Sequence, residues 1–405
     1  MLGEGEDYDG KRLIWLNGSA GAGKSAIMQS VIERYTRNAV ILGSSSFSRA
    51  DTSRNYAEVL VPTLAYQLAR AFPAAIAVLE PVIHHDPLIF RASLHTQAYE
   101  FLVRPILYLA DTGIMDTTFR GVFVIDGLDE CSDPQKQRHI IQAVASMLCD
   151  YPLPVSFLIT SRPEVTTTSA FQRDKRLHGI FSIISLDADV DAESDIRQFI
   201  VDSFLDILDS HPLRHHITMP WPDPSSINEL VRKSSGHFIY AATAMKFIAS
   251  SDEHPACARE VVKGLQPSRT ESPFMQLDAL YSHILTSAKF SSQVRGILRH
   301  YHISLFERSV AAVCRIHNIC SEDVELFLSD IQSLVSLSPN GTTEMYITVK
   351  HASPEDFLMY KKRSSTLYTS DENYHASWLV TSSCWMMVHK CQHHHSASEK
   401  WMYID

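Results

Sequence analysis

The sequence contains no C-x-x-C pair, no run of more than three basic residues and no apolar stretch approaching 18 residues. Each absence removes a class of protein. The seven cysteines (Cys131, Cys149, Cys257, Cys314, Cys320, Cys384, Cys391) are scattered. That argues against a disulfide framework or a zinc ribbon and fits a reducing compartment. The apolar segment Phe238 to Ile248 is short and contains Lys246, so neither a membrane span nor a membrane partner is expected. Glu4, Glu6, Asp7 and Asp9 crowd the N-terminus, the opposite of a signal peptide's basic start, and the expected location is cytoplasmic. With a net charge of −10 and no basic patch, nucleic acid is not expected among the partners. No repeat of fixed period is present either. What remains is an ordinary globular composition, 45% apolar and 20% charged, on a 405-residue chain with room for several cores. Its 20 histidines would carry the formal charge from −10 to +10 if all were protonated, so solubility should change in acid.

Three of the 15 glycines fall in one short stretch, Leu13-Ile-Trp-Leu-Asn-Gly18-Ser-Ala-Gly21-Ala-Gly23-Lys24-Ser25. Leu13 to Leu16 reads as a buried strand, and a helix follows through Met28, Val31 and Ile32. Between them Gly18 to Ser25 matches the phosphate-loop pattern G-x-x-x-x-G-K-[ST] in full. Glycines let successive backbone N–H groups close around phosphate oxygens, and the helix presents its positive end to the same anion. Lys24 is placed to reach the β- and γ-phosphates and the Ser25 hydroxyl to ligate Mg²⁺. Candidate nucleotide-binding residues are therefore Gly18, Ser19, Ala20, Gly21, Ala22, Gly23, Lys24, Ser25 and Ala26.

Further strands are expected at Ala39 to Phe47, Gly121 to Ile125, Val155 to Thr160 and Ile180 to Leu186. Between them lie helical patterns at Tyr56 to Leu68, around Phe101 to Leu109, and at Ile140 to Leu148. Alternating strands and helices predict a parallel sheet with helices on both faces, occupying residues 1–187. A helical domain over 188–265 follows, where Ser226-Ile-Asn-Glu229 reads as a capping box. Polar, turn-rich sequence from Gly264 to Pro273 reads as a linker. Over 274–363, helices at Leu277 to Leu285, Val310 to Ile316 and Asp323 to Ile331 precede a hairpin, Leu334 to Leu337 with Met345 to Val349, which suggests a winged helix. Glu322, Asp323, Glu325 and Asp330 on its second short helix would repel phosphates, so a packing role is expected rather than DNA binding. Residues 364–405 read as the start of a further helical segment, with a helix at His375 to Met387, or as a truncated tail.

A second signal is Val122-Phe-Val-Ile-Asp126-Gly127-Leu-Asp129-Glu130. An apolar strand ending in Asp supplies the Mg²⁺ side of a phosphate-loop site, so Asp126 joins Ser25 as a metal candidate. The strand is expected beside the loop. Asp129 or Glu130 is placed to orient or deprotonate the attacking water. Arg162, just past a buried strand, is a candidate γ-phosphate sensor, and Arg49 a weaker one. Cys391-Gln-His-His-His395 and His84-His85-Asp86 lack a second ligand pair and read as solvated sequence.

Together the loop G-S-A-G-A-G-K-S and the strand V-F-V-I-D-G-L-D-E resemble the NACHT class of STAND NTPases, with Gly127 and Asp129 at its hallmark small and acidic positions. Phe47 to Arg49, Thr63 to Ala69, Leu158 to Glu164, Gly236 to Thr243 and Leu277 to Leu285 are similar to the nephrocystin-like NACHT proteins abundant in mushroom-forming fungi. The resemblance covers roughly Arg12 to Leu358. It implies a signalling switch that is closed with ADP, open and self-associated with ATP, and slow to hydrolyse. It also implies that a winged-helix histidine contacts the ADP β-phosphate. In Val349-Lys-His351-Ala-Ser-Pro-Glu-Asp-Phe357 that residue is His351, although Pro354 replaces the usual aromatic and is expected to disturb the helix start. Relatives carry an effector domain before this unit and repeats after it, so the chain is expected to be a fragment or to rely on partners. A non-hydrolysing scaffold holding structural ADP, and a GTP-specific switch, are the alternatives.

Overall fold

The computed structural model describes residues 10–36, 40–49, 51, 53–116, 118–188, 191–219, 221–265, 274–303, 308–339, 344–349 and 351–369. These fall into two compact units, one within 1–196 plus 235–239, the other within 197–234 plus 240–405.

The first unit is built on five parallel strands: β1 (Leu13–Asn17), β2 (Ile41–Ser46), β3 (Gly121–Asp126), β4 (Val155–Ser161) and β5 (Phe181–Ser185), in the spatial order β2-β3-β4-β1-β5. Interior parallel strands are buried on both faces, which explains why they are nearly continuous apolar runs. Side chains alternate between the faces. Trp15, Phe123, Ile125, Phe157 and Ile159 enter the larger core. Leu16 and Val124 enter the smaller one with Met28 of α1 (Lys24–Thr36). Over the larger face pack α2 (Leu60–Ala71) and the helices α3 (Ile76–His85), α4 (Leu94–Ala98) and α5 (Arg104–Asp111). A single π-helical turn, Tyr99–Val103, joins α4 to α5. This face is completed by α6 (Pro134–Asp150) and α7 (Val165–Arg173). Phe171 of α7 stacks on Trp15 at 4.7 Å between centroids. The Arg12 guanidinium closes one end of the sheet by donating to the carbonyls of Leu148, Leu153 and Val155.

α8 (Ala192–Ser210) leads out of the first unit. α9 (Pro224–Ser234) is capped differently from the expected box. Asp223, not Ser226, is the capping side chain, with Oδ1 accepting from Ser226 N at 3.0 Å and Pro224 in the first turn, where a missing N–H is harmless. α10 (Phe238–Ser250) and α11 (Pro255–Gly264) follow. Next come α12 (Met275–Ser287), α13 (Ser291–Ile303), α14 (Val310–His317) and α15 (Ser321–Leu328). The expected hairpin forms from β6 (Val335–Pro339) and β7 (Met345–Val349), antiparallel, and α16 (Ala352–Met359) and α17 (Lys361–Ser364) complete the unit. Arg363 and Asp278 form a buried ion pair that ties α17 to α12. Sequence reading passes over α13, although Val294, Ile297, Leu298 and Tyr301 are all buried in it. Gly296 and four basic or histidine residues interrupt its apolar stripe. The predicted helix at 375–387 and the histidines near Cys391 lie outside the described residues.

Candidate functional site

The loop between β1 and α1 needs glycine for two separate reasons. Gly21 and Gly23 sit at φ +81° and +93°, the left-handed region that side chains disfavour. At Gly21 a Cβ would also come within 2.1 Å of Ile239 Cγ2. Ile239 N donates to Gly21 O at 3.2 Å, so the segment 235–239 lies directly on the loop. Lys24 starts α1 and turns its Nζ back to donate to Gly18 O (2.7 Å) and Ser19 O (2.9 Å). Burial pushes its pKa down, opposed by Asp129, Asp187 and Asp126. Ser25 and Ala26 are exposed at the open end of the loop, whereas Ala22 is buried and Ala20 half-buried.

The acids stand on the far side. Contrary to the expectation that their strand lies beside the loop, β4 separates β3 from β1. The reach is nevertheless made, because Ser25 Oγ donates to Asp126 Oδ1 at 3.3 Å. One alcohol and one carboxylate are a donor set suited to a hard cation that keeps most of its waters, which is how Mg²⁺ is usually held. Asp126 is buried, and its Oδ1 also accepts from Thr160 Oγ1 at 2.6 Å.

Asp129 and Glu130, interchangeable in the sequence, are placed differently. Asp129 is buried, and Arg162 takes both its oxygens: Arg162 N donates to Oδ1 at 3.0 Å and Nε lies 3.2 Å from Oδ2. Glu130 Oε2 accepts from Arg49 N at 3.1 Å. Burial raises its pKa, assisted by the Asp129 charge and opposed by the Arg49 hydrogen bond. Arg49 also donates from Nη2 to the Asp129 carbonyl. The phosphate loop, Asp126, Asp129, Glu130, Arg162 and Arg49 thus all belong to the first unit.

His351 belongs to the second unit. Its Nδ1 accepts from Ser353 N at 3.0 Å and caps α16. Pro354 does not disturb that start. It sits in the first helical turn, where no N–H is required.

Three neighbours of the loop carry no role in the sequence reading. Asp187 accepts from Ser19 N with both carboxylate oxygens at 2.9 Å. His237 Nδ1 lies 3.3 Å from Ser19 Oγ, with its pKa lowered by burial. Thr160 bridges Asp126 and Gly127. For His237 a signal exists in Gly236-His-Phe-Ile239, where a glycine breaks the helical pattern. For Thr160 and Asp187 none does, since only folding brings them near the motif.

The sheet order, the glycine loop feeding α1 and the Ser25–Asp126 contact decide the architecture. The fold is that of a phosphate-loop NTPase. The family described as "Nephrocystin 3, N-terminal" matches residues 5–162. No curated protein matches the chain. Among solved structures, it is similar to the Orc1 protein of Aeropyrum pernix in complex with DNA, at 13% identity and TM-score 0.35, over 88% of this chain and 86% of that one. It is also similar to Drosophila ORC bound to DNA, at 10% identity and TM-score 0.36, over 85% and 80%. A third is Cdc6p of Pyrobaculum aerophilum, at 14% identity and TM-score 0.29, over 88% and 87%. The expectation that nucleic acid is no partner is withdrawn as a correction: two of these similar structures are complexes with DNA, a property of those proteins. Net charge speaks only to nonspecific attraction and does not decide whether a fold engages nucleic acid. Among the described residues no helix is long and apolar enough to cross a membrane.

Proposed function

We propose that the chain is a nucleotide-dependent signalling switch of the NACHT class of STAND NTPases, taking ATP and ADP with Mg²⁺ and hydrolysing slowly. The observation that carries this is the 3.3 Å contact between Ser25 and Asp126, which brings a loop hydroxyl and a strand-end carboxylate together across an intervening strand, as a magnesium–phosphate site would require. The nephrocystin family match over residues 5–162 supports a nephrocystin-like nucleotide-binding protein, and the finer class rests on the resemblance of the sequence motifs. Bound Mg²⁺ would neutralise charge on the β- and γ-phosphates. Loop amides and Lys24 would hold the phosphates; Lys24 would exchange its two carbonyl partners for phosphate oxygens. Ser25 and Asp126 would hold the metal. Of the two acids, Glu130 is the better proton acceptor for water, since burial raises its basicity while Asp129 is engaged by Arg162. Arg162 would then serve the γ-phosphate by leaving Asp129 for it. In the ADP state His351 would contact the β-phosphate, as the family resemblance implies. Self-association would belong to the ATP state.

The Arg162–Asp129 pairing favours a second reading, a scaffold that holds nucleotide without turnover. Lys24→Ala should abolish nucleotide retention, and retention in that variant would refute the phosphate-loop assignment. Glu130→Gln should preserve binding and slow hydrolysis; turnover equal to this variant's in the unaltered protein would select the scaffold. Heat release and identification of the bound nucleotide separates ATP from GTP.

A further inference from the structure

Thr160 is wholly buried near the end of β4, the strand interposed between the loop strand and the acid strand. Its single hydroxyl makes two bonds in opposite senses. Oγ1 donates to Asp126 Oδ1 at 2.6 Å and accepts from Gly127 N at 2.8 Å. Gly127 stands at φ +69°, the turn that sends the chain from β3 into the Leu128–Glu130 segment. A hydroxyl is the smallest side-chain group that can donate and accept at once, and the threonine methyl restricts the rotamer. One atom therefore fixes both the metal-site carboxylate and the turn that carries Asp129 and Glu130.

The bonds at Asp126 are also asymmetric. Thr160 and Ser25 both donate to Oδ1, while Oδ2 accepts no hydrogen bond among the described residues. A carboxylate held by one oxygen in this way keeps the other oriented for a cation or its water shell, and such outer-shell partners tune metal affinity.

We propose that Thr160 is a positioning residue, which presents Asp126 Oδ2 to the magnesium of a bound nucleotide while holding the Gly127 turn. This rests on the phosphate-loop reading above. It acts through Asp126 and touches neither metal nor nucleotide itself.

The test compares affinity for a fluorescent ADP analogue in Mg²⁺ and in EDTA, using the full chain. Thr160→Val keeps the shape and removes both bonds. It should cut the gain in affinity conferred by Mg²⁺ by about tenfold, while leaving the EDTA affinity nearly unchanged. Thr160→Ser, which restores the hydroxyl, should recover most of that gain. A folded Thr160→Val protein with the full Mg²⁺ gain overturns the proposal, as does equal loss in Mg²⁺ and EDTA, the result of a purely structural role. Where Thr160→Val does not fold, Thr160→Ala carries the same prediction, since its smaller side chain leaves room for a water at Gly127 N. Failure of the unaltered protein to bind the analogue in either buffer would instead overturn the phosphate-site reading beneath it.

Discussion

Replacing Arg162 with methionine should show how much the Asp129 contact is worth. Methionine keeps most of the aliphatic volume and removes the guanidinium. In the native fold Nε lies 3.2 Å from Oδ2, on an acid only 3% exposed, and the arginine side chain is itself only 20% exposed. With an effective dielectric constant of about 20, a unit pair at that distance is attracted by about 5 kcal/mol before desolvation is counted. Breaking a buried pair by removing one partner costs roughly 3–5 kcal/mol, because the remaining charge is stranded. Residue 162 still donates its N–H to Oδ1, so the lower end of that range, about 3 kcal/mol, is expected for the first unit. Urea denaturation read by amide exchange in β3 and β4 would measure it. A double variant, Asp129→Asn with Arg162→Met, should recover most of the loss, since asparagine carries no charge and still accepts the N–H. A double variant as unstable as the single one would refute the argument that a stranded carboxylate is the cause. The same Arg162→Met protein reports on function, because ATP and ADP affinities should diverge less if Arg162 reads the γ-phosphate.

Two further predictions concern pH. Burial holds the Glu130 carboxyl above its ordinary value of 4.5, so the fold favours its protonated form. That contribution is fully present below 4.5 and declines as pH rises. Glu130→Gln should therefore melt above the unaltered protein near neutral pH and lose the advantage near pH 4; an equal shift at both would refute it. His302 shows the reverse sign, its pKa lowered to about 4 by burial, with a contribution from Arg308. Stability is full above 6.5 and falls as pH drops toward 4, by about 3 kcal/mol at most. His302→Leu should flatten that acid limb in the second unit, as seen by amide exchange in α13; an unchanged limb would assign it elsewhere.

Much of the site was legible because its chemistry is local. Gly18 to Ser25 is contiguous, and Asp126 to Glu130 follows its strand directly, so spacing alone picked these residues out as candidates. The five strands were legible because burial on both faces leaves near-continuous apolar runs. The cap at Asp223 was missed because Ser226 offered an equally good box three residues on. α13 was missed because its buried stripe is broken by Gly296 and its basic residues.

The sequence by itself determined that a phosphate loop and an acid-tipped strand exist, since each needs only neighbouring residues to specify it. Tertiary structure alone decided the rest: that β4 separates the two strands, that Asp129 pairs with Arg162 while Glu130 accepts from Arg49, and that Thr160 grips Asp126 and Gly127. The physical reason is that strand order and buried hydrogen bonds join residues far apart in the chain, through contacts that no local periodicity encodes.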